Sequence, residues 1–191
     1  MKNIGLIILV TFSVFKGHSQ TDTIWFDKEW KVQAEEAATY FRVATLKEER
    51  FKEFFPFKDY NLQGEKLKEG VTLEKVKDAF VGEVVYFNAD GSVAERMVYK
   101  NGFKYGDHKV YYKSGKLKIS ESYLFGVLKG PSKSYNEDGT LLESGVYIDD
   151  KREGVWKVYY KNGKLKEQGL YKKGLRVGIW KTYYYNGTPQ E

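Results

Sequence analysis

Few residues of this 191-residue chain have the types that reactions need. There is no cysteine, which excludes disulfides, thiol catalysis and thiolate metal sites. His18 and His108 are too few to form a histidine metal cluster. No Gly-rich loop leads into a helix, so the glycines carry no nucleotide-binding signature. Carboxylates are plentiful, but Asp90 and Asp138 fall in turns, and Glu143 and Glu167 share one repeated position. His108 has no motif partner and reads as a surface histidine. Without a nucleophile, a paired base or a ligand set, the expectation is a protein that is not an enzyme, with no cofactor and no metal. What remains is recognition chemistry. Trp156, Tyr160, Trp180 and Tyr184 recur 24 residues apart, and clusters of large amphipathic rings are typical binding anchors.

The spacing that brings those rings together runs through most of the chain. Gly82, Gly106, Gly130, Gly154 and Gly178 are 24 positions apart. Nine positions after each comes Gly91, Gly115, Gly139, Gly163 or Gly187. The fifth position is always aromatic (Phe87, Tyr111, Tyr135, Tyr159, Tyr183), and the seventeenth is Tyr99, Tyr123, Tyr147 or Tyr171. A fixed period of this length marks a stacked repeat. Within Gly154–Val177, a β-branched and aromatic run leads to Asn162-Gly163, a hairpin signal whose two central residues favour φ > 0. A second strand follows, then a second turn near Gly174. Each unit is therefore two short antiparallel strands. The fold class is mainly β, an elongated antiparallel meander of stacked 24-residue hairpin repeats with a small N-terminal α+β cap. Strand alternation places the fifth, eleventh and seventeenth positions on one core face. The second and sixth positions, which hold the four candidate anchors, then lie on the other.

The remaining segments differ in kind. Residues 1–19 carry Lys2, an apolar run from Ile4 to Phe15, and small residues Gly17 and Ser19, the three-part pattern of a signal peptide cleaved before Gln20. Residues 20–56 read as a cap, strand–helix–strand, with helix-prone Ala34–Ala38. Residues 57–81 read as a degenerate repeat, with an insertion from Thr72 to Asp78. Residues 82–191 are the regular array. The expected location is the periplasm, the outer envelope or the medium.

Charge narrows the partners. The chain has 32 Lys/Arg and 26 Asp/Glu, a formal net of +6. The cations are dispersed, with no dense Lys/Arg cluster, so nucleic acid is not an expected partner. A protein partner is expected first, with envelope glycan or anionic lipid as alternatives. The last hairpin has little second strand before Glu191, which suggests end-to-end self-association through an open edge.

The stretch Gly154-Val155-Trp156-Lys157-Val158-Tyr159-Tyr160-Lys161-Asn162-Gly163-Lys164-Leu165-Lys166, with Tyr171 and Gly174 after it, resembles the MORN-repeat variant. Gly178-Ile179-Trp180 to Asn186-Gly187 repeats the shape. The resemblance covers residues 82–191 well and 57–81 weakly. It departs from the standard repeat, with Gly-Val-Trp and Gly-Ile-Trp where Gly-x-Gly is usual. It implies a curved antiparallel sheet and a scaffold or binding role. Bacterial proteins of this kind are often labelled YwqK-family antitoxins, so a toxin-occluding, immunity-like role stands beside the envelope binder.

Overall fold

The computed structural model describes residues 21–49 and 52–190; the signal-like segment 1–19 lies outside them. Among the described residues, fifteen strands run in chain order. They are β1 (Thr21–Phe26), β2 (Tyr40–Thr45), β3 (Lys47–Glu49), β4 (Lys52–Asn61), β5 (Lys66–Thr72), β6 (Phe80–Phe87), β7 (Val93–Lys100) and β8 (Phe103–Tyr111). Then come β9 (Leu117–Leu124), β10 (Val127–Leu128), β11 (Gly130–Tyr135), β12 (Leu141–Ile148), β13 (Lys151–Tyr159), β14 (Leu165–Lys172) and β15 (Leu175–Thr182). They form one antiparallel meander in which chain neighbours are sheet neighbours from β1 to β15; β3 pairs beside β4, and β10 beside β9. The expected hairpin meander is what the chain builds. The helix-prone stretch does not become an α-helix. Glu35–Ala37 makes a single 3-10 turn, and neither flanking alanine offers a side-chain cap.

The two turns of each repeat differ in a way the Asn-Gly signal hides. At Asn162-Gly163, Gly163 has φ 78° while Asn162 is not left-handed. The Gly163 N–H donates to Tyr160 O at 2.9 Å, and Tyr160 N–H to Lys164 O at 2.8 Å. This is a turn closed by a single left-handed glycine, a bulge geometry that increases strand twist. The fully left-handed two-residue turns are the other set: Asn101-Gly102, Phe125-Gly126, Asp149-Asp150 and Lys173-Gly174. At the glycine-less pair, Asp150 tolerates φ 62°, and its carboxylate accepts Leu128 N–H at 2.8 Å.

The most deeply buried part of the sheet is N-terminal. Ala44, Phe57, Phe80 and Val84 form an apolar cluster, with Ile24, Tyr86 and Tyr99 packed against it. The segments 27–39 and 73–79 fold over this face. Trp30 stacks on Tyr40 with centroids 4.7 Å apart, and Lys68 sits over the Trp30 ring. Under them lies an ionic quartet. Arg42 (1 % exposed) donates through Nε and Nη2 to both oxygens of Asp59 (0 % exposed), at 2.7 and 2.8 Å. Its Nη2 also reaches Asp78 at 2.7 Å, and its Nη1 the carbonyls of Lys75 and Lys77. Lys68 Nζ bridges Asp78 at 2.8 Å and Asp59 at 3.5 Å. The guanidinium is sandwiched against Phe57, 4.5 Å from the ring centre. Burial alone would raise the Asp78 carboxyl, but Lys68 and Arg42 outweigh it and hold it below its ordinary value. Two cations and two carboxylates cancel, so the cluster carries no net charge into the core while it fastens the 73–79 loop to three strands.

Breaking such a cluster from one side strands a buried charge, which costs about 3–5 kcal/mol. Arg42→Ala is expected to lower stability by that order and to expose 73–79 to protease. Asp78→Asn, at the half-exposed rim, should cost much less. Urea unfolding and limited proteolysis of the two variants check the ordering.

Candidate functional site

Cross-strand register decides which side chains share a face, and it corrects the alternation argument. Tyr171 pairs with Gly154, and Trp156 with Gly169. The seventeenth-position tyrosines and second-position tryptophans therefore lie on the same face, not on opposite ones. The reason is a register shift in every repeat, between Tyr86/Phe87, Val110/Tyr111, Ser134/Tyr135 and Val158/Tyr159. An extra residue in one strand flips the side chains beyond it. Tyr159 and Leu165 thus pair on the side opposite Trp156. One side can be called the packing face and the other the solvent face.

On the packing face the C-terminal repeats build the same unit twice. Arg152 grips Glu143 with two contacts, at 2.8 and 3.0 Å, and lies 4.1 Å above the Trp156 ring. Arg176 grips Glu167 at 2.9 and 3.2 Å and lies 3.8 Å above Trp180. Tyr171 stands between, edge-on to both indoles, and accepts from both arginines at 3.3 Å. Burial would raise the Tyr171 phenol, but Arg176 and Arg152 outweigh it and draw it below its ordinary value. Each indole lies flat on a glycine of the preceding strand. A Cβ built on Gly145 would fall 2.2 Å from the Trp156 ring, and one on Gly169 2.3 Å from Trp180. The pairing of fifteenth and following second positions is complementary in size along the array: Gly145 with Trp156, Gly169 with Trp180, but Met97 with His108 and Glu121 with Ser132.

The four predicted anchors are not equivalent. Trp156 is enclosed (1 % exposed), and its Nε1 donates to Val146 O at 3.2 Å. Tyr160 is half-buried and donates its hydroxyl to Tyr183 O at 2.8 Å, as Tyr112 does to Tyr135 O one repeat pair earlier. Trp180 is half-buried, with a buried Nε1 that has no acceptor among the described residues. Tyr184 is exposed. The turn glycines Gly91, Gly115, Gly139, Gly163 and Gly187 all have positive φ and carry the hairpin turns.

His108 is not on the surface. It is 8 % exposed, with Nδ1 3.4 Å from Glu121 and Nε2 3.1 Å from Glu95, the latter contact off the hydrogen-bonding line. Sequence reading missed this because Glu95 and Glu121 lie on two different neighbouring strands. Burial would lower the imidazole pKa, but Glu121 and Glu95 prevail and push it up to about 9.

The solvent face carries two rows that sequence reading did not assemble. Val146, Val155, Leu170 and Ile179 lie along one, with Val155 54 % and Ile179 89 % exposed. Beside them, direct pairings run Lys109 to Ser120, Ser120 to Lys133, Lys133 to Ser144, Ser144 to Lys157, Lys157 to Gln168 and Gln168 to Lys181. The 24-residue spacing of these lysines was visible as a signal. That Ser120, Ser144 and Gln168 fall between them needs the register. Shallow depressions on this face are lined by Val146, Val155, Lys157 and Tyr159, and by Leu170, Ile179 and Lys181.

A family model described as the MORN repeat variant matches residues 104–124, 152–173 and 176–191. These spans fall on β8 to β9 and on β13 to β15, so those hairpins are similar to the MORN repeat variant. No curated protein matches the chain.

The His108 contacts give a pH prediction. Its folded pKa lies above the unfolded value of about 6.5, so the stabilisation is complete below pH 6.5. It declines as pH rises and is gone above about 9. Urea unfolding between pH 6 and 9.5 should show that decline in the native chain and a flatter profile in His108→Gln.

Proposed function

We propose that the chain is a non-catalytic binding or scaffold protein of the bacterial cell envelope that recognises its partner through the solvent face of the repeat sheet. The observation that carries this reading is the asymmetry of the two faces. On the packing face of the C-terminal repeats, the carboxylates Glu143 and Glu167 are tied to arginines, and the indoles are seated on glycines. On the other face, Val155 and Ile179 project into solvent beside lysines without a carboxylate partner among the described residues. An exposed apolar row on a rigid scaffold is a common mark of a recognition surface. Tyr184 stays exposed at the C-terminal end, while Trp156, Tyr160 and Trp180 act behind the surface by holding successive repeats in register. The envelope location rests on the signal-like residues 1–19.

The test compares two exposed double variants as bait in cell-envelope extract. Val155→Asp/Ile179→Asp is expected to lose the partner that the unmodified chain captures. Val76→Asp/Leu62→Asp, exposed residues of the N-terminal part, should keep it. Equal capture by both, with both folded by circular dichroism, would move recognition off the solvent face.

A further inference from the structure

The lysine row has a geometry that its number of charges alone does not explain. Lys109, Lys133, Lys157 and Lys181 are each two strands apart, and strands in a sheet are about 4.8 Å apart, so these lysine positions repeat at about 10 Å across the strands. Lys133, Lys157 and Lys181 are exposed and have no carboxylate partner among the described residues; Lys109 faces Asp107 at 3.6 Å. The positions between them hold neutral hydrogen-bonding groups, Ser120, Ser144 and Gln168. Alongside runs a row of half-buried rings, Tyr135, Tyr159 and Tyr183.

We propose that this row binds a linear acidic polysaccharide, laid across the strands, with one carboxylate per disaccharide. The inference rests on the reading of the solvent face as the recognition surface and names its ligand class. A β-linked disaccharide spans roughly the lysine repeat, so carboxylates meet Lys133, Lys157 and Lys181 in register. The intervening neutral sugars then meet the serines and the glutamine, and the tyrosine rings offer amphipathic surface to the sugar faces. Nucleic acid fits this comb poorly, because its phosphates are much denser along each strand, about one per 3.4 Å of duplex axis. An extended acidic peptide would gain most by pairing its backbone with a sheet edge, and this row crosses the middle of the sheet.

The experiment titrates the full chain with hyaluronan oligosaccharides of two, four and six disaccharides, by calorimetry at low salt. Affinity is expected to rise from two to four disaccharides, as the four lysines fill, and to level off beyond. Lys133→Gln/Lys157→Gln/Lys181→Gln should weaken binding of the four-disaccharide ligand by about tenfold or more. Lys113→Gln/Lys116→Gln/Lys161→Gln, which removes the same charge from the turns, should change it by less than about twofold. Equal weakening by both variants would reduce the row to net charge and overturn the proposal. Tighter binding of oligothymidylate or a polyglutamate peptide of matched charge would overturn the ligand class. No binding to any polymer, with the envelope partner still lost by Val155→Asp/Ile179→Asp, would sink this inference and leave the solvent-face reading standing.

Discussion

A single-layer sheet has no second layer against which to bury its side chains, and the rest of this structure follows from that constraint. An apolar core needs packing on more than one side. Here one face supplies both partners itself. The glycines of one strand form the floor, the indoles of the next lie on it, and arginine and tyrosine close the top. The N-terminal part solves the same problem differently, with the 27–39 and 73–79 segments folded over Phe57 and Phe80 and held by the Arg42 quartet. The inner surface therefore changes along the sheet from a covered apolar and ionic core to an aromatic and arginine ladder made only of repeat residues. His108 between Glu95 and Glu121 marks the passage between the two, where the fifteenth position is too large to seat an indole.

This arrangement explains why the two faces behave unequally. Glu143 and Glu167 on the packing face of the last repeats are each tied to an arginine, while Lys133, Lys157 and Lys181 stand exposed on the opposite side. The bulge in each repeat has a second consequence beyond twist. It turns the seventeenth-position tyrosines onto the packing face beside the indoles and leaves the fifth-position aromatics and eleventh-position leucines on the solvent face, where they flank the lysine row. The scaffold thus gives a repeated ligand a repeated surface, with the period set by strand spacing.

The period, the hairpins and the meander were legible in the sequence because glycines and aromatics keep a 24-residue register and no helical pattern competes. The face assignment was not. Counting by twos from Leu165 to Tyr171 puts both on one side, and only the register shift at Val158/Tyr159 separates them. The turn chemistry was half legible: Asn162-Gly163 is a turn, but the left-handed pair sits at Lys173-Gly174. The short alanine-rich stretch 34–38 has helical propensity, which a few residues cannot enforce without capping or an apolar face. Of the candidate anchors, sequence found the repeated positions. It could not tell that Trp156 would be sealed by Gly145, Arg152 and Tyr171 while Tyr184 stayed open, because burial depends on the neighbouring strand.

Glycine seats for the indoles thus replace a missing second layer. Gly145 is the place to measure it, because its φ is not left-handed and alanine meets no backbone strain there. Replacing such a strand glycine ordinarily stabilises a protein by about 0.4–1 kcal/mol through the unfolded state. Chemical unfolding of Gly145→Ala, followed by near-ultraviolet circular dichroism of the tryptophans, is the direct test. The expected result is a loss of about 1–3 kcal/mol from overpacking, with a changed tryptophan signal as Trp156 is pushed off its floor. A variant as stable as the unmodified chain or more so, with the tryptophan signal unchanged, would contradict it.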